Sequence, residues 1–220
     1  MGFRAGYNAT TADTTVAIGK SAIGLGVLTG DHNVAIGNGT GTDLTSGASN
    51  VFVGYIAGGN VTTGADNTIL GPSAGFSITT GSSNTIIGHD AGYNATTANN
   101  TIAIGVTAIS SGVLTGTDNT AIGRLAGQDL TSGTYNNFIG YSAGLNATTA
   151  SNTVAIGRDA IGAGILTGTD NTAIGYRAGY DLTSGGSNVF VGYTAGTNAT
   201  TGLYNIAIGR QASSVGLLTG

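Results

Sequence analysis

His32 and His89 are the only imidazoles in this 220-residue chain, and they occupy different places in its repeating pattern. A catalytic or metal-binding pair must converge in space, so these two are not expected to act together. The chain has no cysteine and no glutamate; all ten acidic residues are aspartates. Nucleophile–base constellations and thiolate metal sites therefore have few members to draw on. Asp43, Asp129 and Asp181 share a repeat position but not in adjacent copies. The calcium-binding pattern GGxGxD is missing. The string GNGTGTD (37–43) superficially resembles a phosphate loop but lacks its Gly-Lys-Ser/Thr ending. No catalytic residue, metal site or cofactor is expected, and the chain is not expected to be an enzyme.

The remaining chemistry is recognition chemistry, and it is organised around a recurring glycine. All six cations fall one or two places after that glycine: Arg4, Lys20, Arg124, Arg158, Arg177 and Arg210. Tyr55, Tyr141, Tyr176, Tyr193 and His89 join them. The bland reading is a solvated corner kept soluble by a little charge. The sharper one is a strip contacting a receptor, matrix protein or glycan, built from Tyr55, Tyr141, Arg158, Tyr176, Arg177, Tyr193 and Arg210. Tyr and Arg are the residue types enriched at binding hot spots.

A second candidate is a threonine column: Thr45, Thr62, Thr79, Thr96, Thr131, Thr148, Thr183 and Thr200, with Thr29, Thr115, Thr167 and Thr219 at the matching place in longer units. Flat threonine ladders resemble ice-binding faces. Those usually run Thr-x-Thr, whereas here adjacent Thr-Thr pairs point opposite ways, leaving one column for ice. Asn8, Asn94, Asn146 and Asn198 each begin an Asn-Ala-Thr sequon. In a repeat this follows from two structural columns lying two apart.

What positions these side chains is the repeat. The glycine of each Ile-Gly pair recurs at Gly19, Gly37, Gly54, Gly71, Gly88, Gly105, Gly123, Gly140, Gly157, Gly175, Gly192 and Gly209, with Gly2 opening a truncated first copy. Spacings are 17 or 18 residues, and a longer period of 52 marks the ILTG- and VLTG-type units. That period is too short for a helix pair, which needs about 33 residues or more. It suits one turn of a parallel β-solenoid, in which each turn buries its apolar face only against the next. The expectation is an all-β parallel β-solenoid of about 13 turns, spanning 1–220 as one continuous array, a piece of a longer fibrous protein. At about 4.8 Å per turn it would be on the order of 60 Å long.

Each column then receives a job. The residue before the glycine is always a large aliphatic (Ile18, Ile36, Val53, Leu70 and so on) and is expected to line the interior. Three places after the glycine stands Ala in all copies but one, Thr40, as a tight corner demands. Asparagines four or five places before it (Asn33, Asn50, Asn67, Asn84, Asn100, Asn119, Asn136, Asn152, Asn171, Asn188, Asn205) are expected to stack as an amide ladder. Two places before it, every residue is apolar, including Phe52, Ile69, Ile86, Phe138 and Phe190. Alternation points this column opposite to the aliphatic one, so the strand reads as buried on both faces. The simplest account makes those five residues a chain–chain interface, three copies around a common axis. The competing account returns them to the chain's own core.

Composition agrees with a solenoid. There are 41 glycines, one proline, no tryptophan and only 7% charged residues. The chain is poor in helix formers and rich in strand and turn formers. A net charge of −4 supplies no basic footprint for nucleic acid. No apolar run approaches the roughly 18 residues of a membrane span.

The units NTVAIGRDA (152–160), NTIAIGVTA (100–108) and DNTAIGYRAG (170–179) resemble the head repeats of trimeric autotransporter adhesins, whose signature is close to Asn-Ser-Val-Ala-Ile-Gly-x-x-Ala/Ser. The likeness extends to related repeats of phage tail fibres and other surface fibres, and it covers essentially the whole chain. It implies a left-handed, trimeric β-roll at a cell or virion surface that serves adhesion. Two departures stand out: Thr in place of the usual Ser, and a turn longer than the family's typical repeat. The expected function is a non-enzymatic structural or adhesive fibre segment. The alternatives are an ice-binding solenoid and an extracellular filament stacking end to end from its open last copy, LLTG (217–220).

Overall fold

The computed structural model describes residues 2–213; Thr219 and the open end at 217–220 lie outside the described residues. The chain resolves into two compact units, Met1–Ser110 and Ser111–Gly220. The first holds β1 (Val16–Ile18), β2 (Val34–Ile36), β3 (Val51–Val53), β4 (Thr68–Leu70), β5 (Thr85–Ile87) and β6 (Ile102–Ile104). The second holds β7 (Thr120–Ile122), β8 (Asn137–Ile139), β9 (Val154–Ile156), β10 (Thr172–Ile174), β11 (Val189–Val191) and β12 (Ile206–Ile208). Among the described residues there is no helix.

Within each unit the strands pair in sequence order, parallel and in register, as in Val51↔Thr68 or Ala173↔Phe190. This is a parallel β-solenoid of about 11 turns with a repeat of about 17 residues. The thirteen glycine anchors exceed the turns because Gly2 heads a corner with no strand before it, and the copy starting at Gly209 runs into residues beyond 213.

Strands are three residues long because the anchor glycine ends each one. Its φ runs from +125° to +141°, a conformation that side chains rarely adopt. A Cβ on Gly140 would also lie 2.6 Å from the Gly157 carbonyl oxygen one turn on. The corner continues through left-handed residues that are not glycine. The second position after the anchor (Ser73, Asp90, Ser142, Arg177) and the fifth before it (Ser49, Asp66, Asn100, Asp170) all have φ between +51° and +61°. Turn-to-turn bonds hold them there, for example Ser73 N–H to Tyr55 C=O and Ser49 N–H to Asp31 C=O, both 2.9 Å.

The interior is the reverse of the sequence expectation. The middle residue of each three-residue strand points inward, and its two neighbours point out. Phe52, Ile69, Ile86, Phe138 and Phe190, expected at a chain–chain interface, are at most 1% exposed within their own chain. Conversely Ile18, Ile36, Ile122, Ile139 and Ile174, expected inside, are exposed. The strand is apolar on both faces as read; its inner and outer columns were exchanged.

The physical reason lies in how a narrow bore is filled. Each turn contributes the strand's middle residue, the corner alanine, and a Leu, Ile, Val or Ala on the opposite side such as Leu44, Val61 or Ile78. Where the strand supplies Phe52, the fourth residue after the anchor is glycine both in that turn and in the one before. A Cβ on Gly41 would lie 2.9 Å from the Phe52 ring, and one on Gly58 3.1 Å. Where the strand supplies only Ala17, Ala103 or Ala155, that fourth position carries Ile23, Ile109 or Ile161, fully buried and left-handed at φ +47° to +48°. Core columns must vary in size to compensate their neighbours. The outer column faces no such limit and stays uniformly aliphatic. Thr40 fits in place of alanine because its buried hydroxyl donates to the Gly54 carbonyl.

The amide ladder is present four places before the anchor wherever that position is Asn. Asn67 donates from Nδ2 to Asn50 Oδ1 (3.1 Å) and to the Gly81 carbonyl (2.9 Å), while its own Oδ1 accepts from Asn84 N and Nδ2 (both 3.0 Å). The second unit repeats this through Asn119–Asn136 and Asn171–Asn188–Asn205. Asn100 and Asn152, expected in the ladder, sit one place earlier on the exposed left-handed corner; Thr101 and Thr153 fill the buried position and donate their backbone N–H to the ladder's last amide oxygen, Asn84 Oδ1 and Asn136 Oδ1. Asn67→Ala should lower stability by about 2–4 kcal/mol, because it orphans the buried Gly81 carbonyl and Asn84 N–H of the next turn at about 1–3 kcal/mol each, while Asn50 Oδ1 keeps the backbone N–H of residue 67. Urea unfolding checks this, and an unchanged midpoint would show that the ladder does not stabilise the fold.

Candidate functional site

The residue after the anchor glycine stands on the outer corner, and its carbonyl is pinned by the next turn. In the second unit Arg124, Tyr141, Arg158, Tyr176 and Tyr193 each accept from the following turn at 2.8–3.0 Å, as in Asp159 N–H to Tyr141 C=O. Their side chains are therefore stacked at the strand spacing of about 4.8 Å. The column reads Arg124–Tyr141–Arg158–Tyr176–Tyr193–Arg210.

That spacing makes a cation–π ladder. Tyr141 lies between Arg124 and Arg158, 5.9 and 5.6 Å from its ring centroid. Arg158 also covers Tyr176 at 5.9 Å. Tyr176 and Tyr193 stack at 5.1 Å with 21° between planes, and Arg210 closes the series 5.7 Å from Tyr193. Each such contact contributes about 0.5–1 kcal/mol at an exposed site. Ring faces are consumed by the stack, so the rim turned to solvent consists of phenol hydroxyls, ring edges and guanidinium N–H groups.

A second layer flanks the ladder. Arg177, one position further round the corner, lies over Tyr176 (5.3 Å) and Tyr180 (4.8 Å). The largely buried Asp159 carboxylate is shared by Arg158 Nε (3.5 Å) and Arg177 Nε (3.6 Å). Burial raises the pKa of Asp181 above the usual carboxylate value, and the Arg177 charge opposes that rise. Asp129, at the same repeat position, is raised by burial.

Of the seven strip residues expected from sequence, the fold thus brings together Tyr141, Arg158, Tyr176, Arg177, Tyr193 and Arg210. Tyr55 belongs to the other unit, exposed in a column whose neighbours are Asn38 and Pro72. Arg124, Asp159 and Tyr180 were missed as members. Alternation of Arg and Tyr at one repeat position was the signal for Arg124. Asp159 shares the Arg177 column, two places after the anchor, where its position next to an arginine was the signal; Tyr180 lies in another column, and only the corner geometry reaches it.

The threonine column lies half inside. The hydroxyls of Thr45, Thr62, Thr79, Thr131 and Thr183 donate to the carbonyl one turn on at 2.9–3.3 Å, and that of Thr148 to Leu166 at 3.5 Å. Thr96 and Thr200 hold the same half-buried place. The outward column is the next one, Ser46, Thr63, Thr80 and Thr97. The sequon asparagines also have a structural job: Asn8, Asn94 and Asn146 donate to the carbonyls of Leu25, Ser110, and both Gly162 and Ala163, in the longer turn that follows. His89 pairs with the adjacent Asp90 at 3.0 Å on the surface. Among the described residues no cluster of His, Cys, Asp or Glu could hold a metal ion, and no helix is long and apolar enough to cross a membrane. No family model, curated protein or solved structure matches the chain.

Arg177→Gln should move the Asp181 pKa further upward, since the lowering charge is removed while the burial remains. Carboxyl-carbon NMR titration reads this directly, and a downward shift or none would mean the two groups are not coupled.

Proposed function

We propose that the chain is a non-enzymatic structural and adhesive segment of an extracellular fibre, at a cell or virion surface. Copies associate side by side as a homotrimer and expose the Arg/Tyr strip to the surface being bound. The observation that carries this reading is the outer face of each sheet. In the first unit Val16, Ile18, Ile36 and Ile102 are exposed; in the second, Ile122, Ile139, Ile174, Ile206 and Ile208. Aliphatic side chains repeated turn after turn form a contiguous apolar stripe, which isolated soluble chains rarely leave in water. An identical stripe on each copy lets a closed symmetric assembly cover it. Three is the number that the resemblance to adhesin head repeats implies.

Sedimentation equilibrium tests the assembly. The expected mass is three times the 21.4 kDa chain, and a monodisperse monomer overturns the reading. Ile139→Lys combined with Ile174→Lys should dissociate the assembly without unfolding the chain, because both side chains already face outward.

Attachment is tested separately. Replacing Tyr176, Arg177 and Tyr193 together with alanine should abolish attachment to cells or matrix-coated surfaces while leaving the trimer mass unchanged. Undiminished attachment would reject the strip as the contact.

A further inference from the structure

The ladder's geometry narrows the chemistry of what it can hold. Because Tyr141, Tyr176 and Tyr193 are covered on their faces by Arg124, Arg158, Arg210 and each other, an incoming planar group has no free ring to stack on. This argues against single-stranded nucleic acid, whose bases need exposed aromatic faces. A guanidinium stacked on a ring through its π face still has its in-plane N–H donors, which match a carboxylate in bidentate fashion. The Arg158 side chain is 65% exposed, and only its Nε is turned towards Asp159.

The charge is local. The second unit carries Arg124, Arg158, Arg177 and Arg210 against Asp118, Asp129, Asp159, Asp170 and Asp181, so its net charge is 4 − 5 = −1. The strip holds all four arginines, and the Asp159 and Asp181 carboxylates act on Arg158 and Arg177. It is thus a narrow cationic line, one residue wide apart from Arg177 beside it, on a weakly acidic body. Arg124 to Arg210 spans five turns, about 24 Å at about 4.8 Å per turn. Hydroxyls of Tyr141, Tyr176 and Tyr193 lie between the cations and can both donate and accept.

We propose that this line binds a linear polysaccharide bearing carboxylates, laid along the stacking axis. The free N–H groups of Arg124, Arg158 and Arg210 engage uronate carboxylates, and the tyrosine hydroxyls bond to sugar hydroxyls between them. A repeating polyanion fits a repeating ladder because contacts add along one dimension and no enclosed pocket is required. The inference deepens the adhesive reading above by naming the ligand class of that strip.

The test is calorimetric titration of the full chain with a linear polyuronate long enough to span the ladder, and with the same polymer after methyl esterification. The polyuronate should bind and the ester should not. Arg158→Gln and Arg210→Gln, both at exposed side chains, should each weaken binding about tenfold, about 1.4 kcal/mol, with thermal unfolding of the variants recorded as the control for folding. Equal binding of the ester overturns the proposal, as does binding that survives both substitutions. So does a sulfated glycan or single-stranded DNA of equal length that binds as tightly, since either would mark an unselective cationic strip. If polyuronate fails while the Tyr176, Arg177 and Tyr193 replacement still abolishes attachment, the ligand class is wrong and the adhesive reading stands; if neither changes anything, both fall.

Discussion

Everything in this chain depends on one backbone constraint: each turn lies in register on the next, through hydrogen bonds between positions 15 to 20 residues apart. Val51 N–H meets Asn67 C=O at 2.8 Å, Gly71 N–H meets Val53 C=O at 2.8 Å, and the pattern recurs through both units. No turn has a core of its own, so each is stable only on its neighbours. Register turns a sequence position into a column, and whatever residue fills that position is multiplied along the stack.

Multiplication explains why costly features persist. Among the described residues twenty-eight non-glycine residues adopt positive φ, a conformation that carries a penalty on the order of 1 kcal/mol apiece. β-Branched Ile23, Ile109 and Ile161 are among them. Their backbone groups are held from above and below, Ile23 N–H reaching the Thr40 carbonyl and Ile161 N–H the Ala178 carbonyl, each at 3.0 Å. Their side chains fill space that Ala17, Ala103 and Ala155 leave empty. The buried asparagines obey the same rule: an amide satisfied on two sides is stabilising only because the next turn presents its partner at the right height.

The same register makes the recognition strip. Arginine and tyrosine on a flexible loop would sample many arrangements, and ordering them would cost side-chain entropy on binding. Stacked at the strand spacing, Arg158 touches Tyr141 and Tyr176 at once, and Arg177 is wedged between two rings and the Asp159 carboxylate. The stack preorganises donors towards solvent and hides ring faces. Its surface chemistry is therefore that of hydroxyls and guanidinium edges.

The spacing of the glycine anchors determined the period, the parallel β-solenoid, the amide ladder and the corner that carries Arg and Tyr, because each follows from one residue type recurring at one interval. The sequence also showed a strand apolar on both faces. It did not decide which face was inside. Ile139 and Phe138 are both hydrophobic neighbours, and alternation says only that they point apart. The fold settled the choice through volume: Phe138 fits because Gly144 leaves room beside its ring, a compensation between positions six residues apart. Likewise Asn100 and Asn152 look like ladder members until the corner turns them outward and places Thr101 and Thr153 inside. Periodicity is local in the chain and can be read from it; inside and outside depend on how neighbouring turns fill a shared bore, which exists only once they are stacked.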